Sequence, residues 1–138
     1  MTAFVIDCSV AVTWCFEDEA TPASDGLLDR LGEEAAAAPA IWLLELGNVL
    51  VVAERRGRLS AAKITEFVAL VQDLPVAIDE ETPRRALDEV LSLARSEGLT
   101  TYDAAYLELA MRLGVPLATQ DKELRQAAEK LGTPVLAV

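Results

Sequence analysis

Short apolar runs separated by longer helical segments are the feature of this sequence that most constrains its fold. Runs such as Ala3–Ile6 and Val76–Ile78 are too short for helices, and charged or turn residues bound them. The longer segments between the runs carry helix signals, such as Ser60 before one helix and Gly98 after another. Because strands that alternate with helices form parallel β-α-β units, the sequence predicts an α/β fold.

The predicted order of elements is that of a three-layer α/β/α sandwich around a central parallel sheet. One helix, Ile41–Arg56, is apolar on nearly all sides and is therefore predicted to be buried. A length of 138 residues predicts one domain, covering 1–138. The predicted strands are 3–6, 35–40, 76–78, 115–118 and 135–138, and the predicted helices are 9–14, 25–31, 41–56, 61–74, 82–96, 101–113 and 121–131.

Composition excludes several classes of protein. The chain is 52% hydrophobic and 25% charged, which excludes a disordered polyelectrolyte. No apolar stretch reaches the roughly 18 residues of a membrane span, and the first residues lack the basic start and apolar stretch of a signal peptide. Two cysteines make neither a disulfide framework nor a four-ligand zinc site. We therefore expect a cytoplasmic protein that does not bind membranes.

The charge and the absence of histidine limit the chemistry that the chain can perform. The net charge is −11, from 23 acidic and 12 basic residues, and there is no histidine. The side chain best suited to proton transfer near neutral pH is therefore missing. An acidic chain binds nucleic acid poorly, since affinity for phosphates comes largely from Lys and Arg. If the chain binds phosphates, a bound cation or a local basic patch must attract them. Alternatively, its partner is basic.

Four carboxylates fall where a parallel sheet places its ligands. Asp7 ends the first strand, and Asp121 follows the fourth. Asp103 begins the helix before that fourth strand, and Glu45 interrupts the apolar helix after the second. Ligands of open parallel sheets bind at the carboxyl ends of strands, near the point where strand order reverses. We therefore expect these four side chains to meet at one edge of the sheet.

Each carboxylate also has a structural interpretation. Asp7 and Asp121 could each cap the helix that follows, and Thr100 with Asp103 has the pattern of a capping box. Glu45 lies between Leu44 and Leu46, where a charge is rarely buried without a partner. As a set, crowded carboxylates repel one another, and a hard divalent cation removes that cost. Four acids without histidine favour Mg²⁺ or Mn²⁺ over zinc, and such an ion could activate water for phosphodiester hydrolysis.

The ordered set of motifs resembles the PIN-domain ribonucleases, and most closely the VapC-type toxins of toxin–antitoxin pairs. The resemblance runs from end to end and rests on Val5-Ile6-Asp7-Cys8-Ser9, on Glu45 with Asn48, on Leu99-Thr100-Thr101-Tyr102-Asp103-Ala104-Ala105-Tyr106-Leu107, on Ala118-Thr119-Gln120-Asp121-Lys122-Glu123-Leu124 and on Leu131-Gly132-Thr133-Pro134-Val135.

The resemblance implies an activity and a set of site residues. Asp7, Glu45, Asp103 and Asp121 would hold one or two Mg²⁺ or Mn²⁺ ions, with Ser9, Thr119 and Asn48 as polar supports. Ser9 could equally cap the first helix, and Asn48 could be a satisfied polar group. The implied activity is endonucleolytic cleavage of RNA, often tRNA or ribosomal RNA. The implied partners are a VapB-type antitoxin, whose basic segment the acidic chain would attract, and a second copy in a homodimer.

Basic residues that could contact RNA are few. Arg55, Arg56 and Arg58 form the densest basic patch, and Lys122 and Arg125 follow Asp121. The arginine patch also suits a solvated helix end, where positive charge is favourable.

Three other functions compete with a nuclease. A receiver-like signalling domain would need an adjacent acidic pair near the first strand and a late lysine, and neither is evident. A haloacid-dehalogenase-type phosphatase would need Asp-x-Asp, but Ser9 stands two residues after Asp7. The third is a PIN-like scaffold that binds RNA or a partner without cutting, which the intact carboxylates disfavour.

Overall fold

A five-stranded parallel sheet lies at the centre of the computed structural model, which describes residues 1–138. The strands lie in the order β3-β2-β1-β4-β5, and every neighbouring pair is parallel. The strands are β1 Thr2–Ile6, β2 Ala35–Pro39, β3 Val76–Asp79, β4 Leu117–Ala118 and β5 Val135–Leu136. The predicted α/β fold with a central parallel sheet is confirmed.

Strand order reverses at β1, which is both the first strand and the central one. The chain adds β2 and β3 on one side of β1 and then returns to place β4 and β5 on the other. Val5 pairs with Ala37 of β2 and with Leu117 of β4. The crevice that a parallel sheet opens at such a reversal therefore lies at the carboxyl end of β1.

Eight α-helices and a few tight turns connect the strands. Short 3₁₀ turns at Val12–Trp14 and Glu17–Glu19 follow the first helix, and a π turn at Ala86–Val90 links the fifth and sixth. The helices are α1 Cys8–Ala11, α2 Pro22–Arg30, α3 Ile41–Arg55, α4 Ala61–Asp73, α5 Thr82–Arg85, α6 Leu91–Glu97, α7 Thr101–Leu113 and α8 Lys122–Lys130. None of them is long and apolar enough to cross a membrane.

Local signals fix most of the helix ends. Ser60 and Thr100 cap α4 and α7 through their side chains, as predicted. Gly98 and Gly114 end α6 and α7 with φ of 66° and 67°, a left-handed conformation that glycine adopts without strain. The start of the second helix was predicted too late: α2 begins at Pro22, because Thr21 and Ser24 form a reciprocal capping box.

The core is built from the central strands and α7. Phe4, Val5 and Ile6 of β1 are completely buried, which requires cover on both faces of the sheet. Seven consecutive residues of α7, from Ala104 to Ala110, are also buried. Helix α7 packs against β1, β2 and β4, while α1 packs against α3. The small alanines at 36–38 of β2 are buried as well and allow close packing between layers.

The prediction that the apolar helix after β2 is buried on nearly all sides is wrong. Helix α3 buries only one face, formed by Trp42, Leu46, Leu50 and Ala53. Leu44 is 72% exposed. Composition alone could not distinguish a helix inside the core from one that keeps an apolar surface towards solvent. The helix with the longest buried stretch is α7, over residues 104–110, whose alanines gave a weaker hydrophobic signal.

An ion-pair network ties α7 to the far side of the sheet. Arg112 donates two hydrogen bonds to Asp79 at the end of β3, at 3.1 and 2.8 Å, and others to Glu108 and Glu81. The Arg112 guanidinium holds the pKa of the Asp79 carboxyl down at about 2, and the hydroxyl of Thr82 also donates to this carboxylate. The charge of Glu108, buried within α7, is thereby compensated.

Candidate metal site at the carboxyl edge of the sheet

The four predicted carboxylates lie together at the carboxyl edge of the sheet. Asp7 directly follows β1, and Asp121 comes three residues after β4, which pairs with β1. Glu45 is in α3, which begins just after β2, and Asp103 is in the first turn of α7. The negative charges of Asp121, Asp7 and Glu45 all act on Asp103. The structure therefore brings the four side chains into one electrostatic cluster.

Asp7 is the buried centre of this cluster. It is only 5% exposed, and two hydroxyls donate to its Oδ2, Ser9 Oγ at 2.9 Å and Thr119 Oγ1 at 2.7 Å. Asp7 stands at the N-cap position of α1, but its side chain makes no capping hydrogen bond. Burial raises the pKa of the Asp7 carboxyl, and the charge of Asp121 adds to this, while the two hydroxyls oppose it.

Ser9 and Thr119 join the ends of β1 and β4. The amide of Gln120 donates to Ser9 Oγ at 2.8 Å, and the amide of Asp121 donates to Thr119 Oγ1 at 3.0 Å. Both hydroxyls therefore hold Asp7 and the loop that carries Asp121 at the same time. This geometry agrees with the supporting role expected for Ser9 and Thr119.

Asp121 is the N-cap of α8, one of the two roles considered for it. Its Oδ1 accepts a hydrogen bond from the amide of Leu124 at 2.9 Å, which caps α8. Only one carboxylate oxygen is used in this bond, so the side chain stays anchored while its charge acts on Asp7 and Asp103. The cap fixes the position of the carboxylate.

Glu45 is half-buried and has a partner that sequence reasoning missed. The hydroxyl of Tyr106, a completely buried residue of α7, donates to Glu45 Oε1 at 2.5 Å. Burial raises the pKa of the Glu45 carboxyl, and the charge of Asp7 adds to this. Tyr106 stands three residues after Asp103, so one turn of α7 presents both to the cluster. That spacing was visible in the sequence, but the contact depends on how α7 lies beside α3.

Asp103 is the member on which the charges of all three other carboxylates act. Partial burial, followed by the charges of Asp121, Asp7 and Glu45, raises the pKa of its carboxyl to about 6. Its backbone amide donates to Thr100 Oγ1 at 3.1 Å, but its side chain does not complete a capping box. The charge at this position is therefore not explained by helix capping.

The cluster suits a hard divalent cation. None of its four carboxylates forms an ion pair with Lys or Arg, although Lys and Arg pair with acidic groups elsewhere in the chain. No three acidic, Cys or His side chains stand in the arrangement of a preformed metal cage. Mg²⁺ does not require one, since it typically takes one or two carboxylates together with waters and substrate phosphates. The all-oxygen donor set and its uncompensated charge therefore fit Mg²⁺ or Mn²⁺.

The other predicted site residues differ in exposure and in their partners. Asn48 is exposed one turn after Glu45 and makes no hydrogen bond to it. The exposed Arg58 is held by Asp18 and Glu19 and stacks on Phe16. Arg125 is turned inwards and donates to the carbonyl of Thr119 at 3.1 Å. The remaining three, Arg55, Arg56 and Lys122, are exposed and form no ion pair.

Cys8 does not supply a nucleophile to this site. It is buried next to Asp7, and burial together with the charges of Glu45 and Asp7 raises the pKa of its thiol to about 12. A thiolate is therefore scarce at neutral pH, and a thiol-based mechanism is disfavoured.

The fold and the carboxylate cluster define the class of protein, and comparison with known families agrees with them. The sequence profile of the PIN domain matches residues 4–130, so the chain belongs to the PIN domain family. Within that family the chain is similar to VapC proteins of Pyrobaculum aerophilum, as the VapC-type resemblance predicted.

Two curated relatives and two solved structures give the extent of the similarity. The chain is 38% identical over 84 residues to the exonuclease VapC9, in a match that spans 61% of this chain and 60% of VapC9. It is 31% identical over 90 residues to the ribonuclease VapC3, spanning 65% of this chain and 69% of VapC3. Both relatives are from Pyrobaculum aerophilum.

The solved structures cover nearly the whole chain. PAE2754 from Pyrobaculum aerophilum superposes with a TM-score of 0.73 and 27% identity, covering 97% of this chain and 89% of its own. FitAcB from Neisseria gonorrhoeae gives a TM-score of 0.63 and 18% identity, covering 97% and 96%. The FitAcB match supports the fold alone.

Replacing Asp103 with Asn is expected to stabilise the metal-free protein at pH 7 by about 1–2 kcal/mol, because it removes a partly buried charge repelled by three others. The pKa of this carboxyl is about 6 in the folded chain, above its ordinary value. The folded state therefore holds the proton more tightly, and this group destabilises the wild type as pH rises through 6. Urea unfolding with chelator at pH 7 and pH 5 would measure the difference, which should shrink at pH 5.

The control for this prediction is Asp88→Asn, which removes an exposed carboxylate outside the cluster. An Asp103→Asn protein that is no more stable than wild type at pH 7 would show that the charges are compensated in some other way.

Replacing Tyr106 with Phe is expected to weaken Mg²⁺ binding by about tenfold, because Glu45 loses the donor that orients its carboxylate. The Mg²⁺ concentration that half-maximally raises the melting temperature would measure this without any activity assay. Tyr102→Phe is the matched control, since Tyr102 lies in the same helix but is 59% exposed. Equal Mg²⁺ dependence of the two variants would exclude an orienting role for Tyr106.

Proposed function

We propose that this protein is a Mg²⁺- or Mn²⁺-dependent endoribonuclease that acts as the toxin of a VapBC-type toxin–antitoxin pair. The observation that carries the proposal is the cluster of four carboxylates, uncompensated by any cationic side chain, at the switch point of a PIN-domain sheet. The relatives named an exonuclease and a ribonuclease support nuclease chemistry. The match covers about 60% of the length of VapC9, so nuclease activity of this chain is a proposal.

The chain's own residues account for binding and orientation. Asp7, Glu45, Asp103 and Asp121 would hold the ion, with Asp7 fixed by Ser9 and Thr119. When bound, Mg²⁺ or Mn²⁺ supplies Lewis acidity towards a phosphoryl oxygen and lowers the pKa of water. Because burial and the neighbouring carboxylates raise the pKa of Asp103 in the metal-free chain, binding of the ion would favour loss of its proton. No histidine base is needed.

The openness of the site favours internal cleavage of RNA over attack at a chain end. Glu45, Asp103 and Asp121 are each only partly buried, so an internal phosphodiester can reach them without threading of an end. The substrate that the VapC resemblance suggests is cytoplasmic tRNA or ribosomal RNA. A closed circular RNA separates the two modes, since only an endonuclease can open it.

Cleavage of a mixed RNA pool and of a circular RNA is expected with Mg²⁺ or Mn²⁺ and not with chelator. Asp7→Asn and Asp103→Asn should each lower the rate by at least about 100-fold, because each removes a charge that holds the ion. The measurements are product accumulation on gels and sequencing of the new RNA ends, which would also identify the target. Asp88→Asn should cleave like wild type. The proposal is wrong if the cleavage rate is unchanged by both site substitutions and by chelator.

The same assay separates the alternatives. Metal-independent RNA binding without cleavage would indicate a PIN-like binding scaffold, whereas phosphorylation of Asp7 by acetyl phosphate would indicate a receiver-like domain. The two hydroxyls on Asp7 Oδ2 and the lack of a second acid beside it disfavour the receiver.

Two surface features support the proposed partners. A net charge of −11 would attract the basic segment of an antitoxin, which could then compete with metal for the carboxylates. The α3–α4 surface is apolar: Leu43 and Leu44 of α3 and Val68 and Leu70 of α4 are all at least 36% exposed. Leu43 and Val68 line one groove between the two helices, and exposed apolar surface of this kind marks protein interfaces. We assign it to a homodimer of the toxin.

Light scattering should give twice the chain mass for the wild type and the monomer mass for Leu44→Lys, because a charge on the 72% exposed Leu44 opposes burial of the α3–α4 surface. Asp88→Lys, a charge change at an exposed residue outside α3 and α4, is the control. The proposed antitoxin, produced from the neighbouring gene, should suppress metal-dependent cleavage when mixed with the toxin. If the Leu44→Lys protein is still a dimer, the dimer interface lies elsewhere. If cleavage is undiminished when the neighbouring gene's product is added, that product is not the antitoxin.

A further inference from the structure

One face of α3 extends from the carboxylate cluster to a small cleft. Asn48, Val49, Val52 and Arg56 follow Glu45 by three, four, seven and eleven residues, spacings that place side chains along one face of a helix. The rise of 1.5 Å per residue puts Arg56 about 16 Å from Glu45 along the helix axis. The face that begins at the candidate metal site therefore continues, over the length of a few nucleotides, to a basic end.

This face forms one wall of a cleft of about 270 Å³. Its other wall comes from the segment after α1 and from the turn between α3 and α4. The residues that matter for its chemistry are Phe16, Asn48, Val49, Val52, Arg56 and Arg58. The lining is therefore apolar at its base, with two guanidinium groups and one amide at its rim.

Arg58 is fixed in this cleft as a flat platform. Its guanidinium lies 3.9 Å from the centroid of the Phe16 ring, and its Nη2 donates to Asp18 and Glu19 at distances of 2.7 to 3.1 Å. Since two carboxylates already compensate its charge, Arg58 contributes a rigid plane more than a free cation. Unpaired bases of single-stranded RNA stack on such guanidinium planes and on aromatic rings.

Arg56 and Asn48 are the groups of the cleft that still have unused hydrogen-bonding capacity. Arg56 is exposed and forms no ion pair, in a chain whose acidic residues outnumber its basic ones. Asn48 is also exposed, and its amide makes no hydrogen bond to another side chain or to the backbone. An unpaired guanidinium suits a phosphate, and a free amide suits the edge of a base.

We propose that this cleft binds single-stranded RNA a few nucleotides from the scissile bond, with a base stacked on Arg58, a phosphate on Arg56 and a base edge read by Asn48. The inference rests on the proposed nuclease function and adds to it a substrate-binding site outside the carboxylate cluster. RNA suits the cleft better than a peptide does, because the rim combines a planar stacking group with an unpaired cation.

The chain provides a matched pair for the test. Arg55 and Arg56 are adjacent, both exposed and both without ion pairs, but only Arg56 lines the cleft. With a short single-stranded RNA that is cleaved at one position, Arg56→Ala should raise KM by about tenfold and leave kcat within about twofold. Arg55→Ala should change neither. The slope of log affinity against log salt should fall by about one for Arg56→Ala alone.

Substrate length gives a second readout that a merely structural effect would not change. An RNA truncated next to the scissile bond cannot reach the cleft, so wild type and Arg56→Ala should cleave it equally well. If Arg55→Ala and Arg56→Ala have the same KM on the longer RNA, the cleft is not a nucleotide site, whatever the activity of the wild type.

Binding separates failure of this inference from failure of the proposed function. Fluorescence anisotropy of the same RNA should show tighter binding to wild type than to Arg56→Ala even if no cleavage is detected. Cleavage with equal affinity for both variants would overturn the cleft and leave the nuclease intact. Absence of both binding and cleavage would overturn both.

Discussion

Mutual repulsion among four carboxylates is the constraint on which the rest of this structure depends. Asp7 is almost fully buried, Glu45 and Asp103 are partly buried, and no Lys or Arg pairs with any of them. Burial first, and repulsion between the carboxylates second, raise the pKa of these three groups, so the arrangement costs free energy in the folded chain. The surrounding hydroxyls and the Tyr106 donor orient these carboxylates but do not neutralise their charge.

The fold tolerates this repulsion because the packing and ion pairs that stabilise it lie away from the four carboxylates. The strand β1 that ends at Asp7 is completely buried over its last three residues, and α7, which carries Asp103, buries seven consecutive residues. The Arg112 network compensates the buried charge of Glu108 within α7 and anchors that helix to the end of β3. The chain thus pairs its buried charges away from the site and leaves them unpaired at the site. This contrast supports the proposed role of the unpaired carboxylates.

Much of the fold and the position of the site could be predicted from the sequence, because both rest on local signals. The strand ahead of Asp7, the caps at Ser60 and Thr100 and the glycines at 98 and 114 are encoded by neighbouring residues. The parallel sheet then places the four acids at one edge. The burial of α3 was predicted wrongly, because whether Leu44 meets the core or solvent is decided by packing between distant segments.

The same limit applies within the site. The hydrogen bond from Tyr106 to Glu45 joins residues 61 positions apart and depends on the packing of α7 beside α3. Similarly, no sequence pattern showed that Arg58 would be held by Asp18 and Glu19 while Arg56 stays unpaired. Residue type identified the groups able to perform the chemistry, but tertiary packing decided which were available.

The helix cap at Asp121 bears on how a protein with the proposed activity could lose it over generations. Its side chain caps α8 through one oxygen, and an amide in its place could accept the same bond from Leu124. Exchange of acid for amide at this position therefore discards a charge without disturbing the helix. In a lineage released from selection for cleavage, the first changes to accumulate would silence the chemistry and leave the architecture whole. Catalytically silent descendants should consequently keep the fold and carry asparagine where the parent carried aspartate.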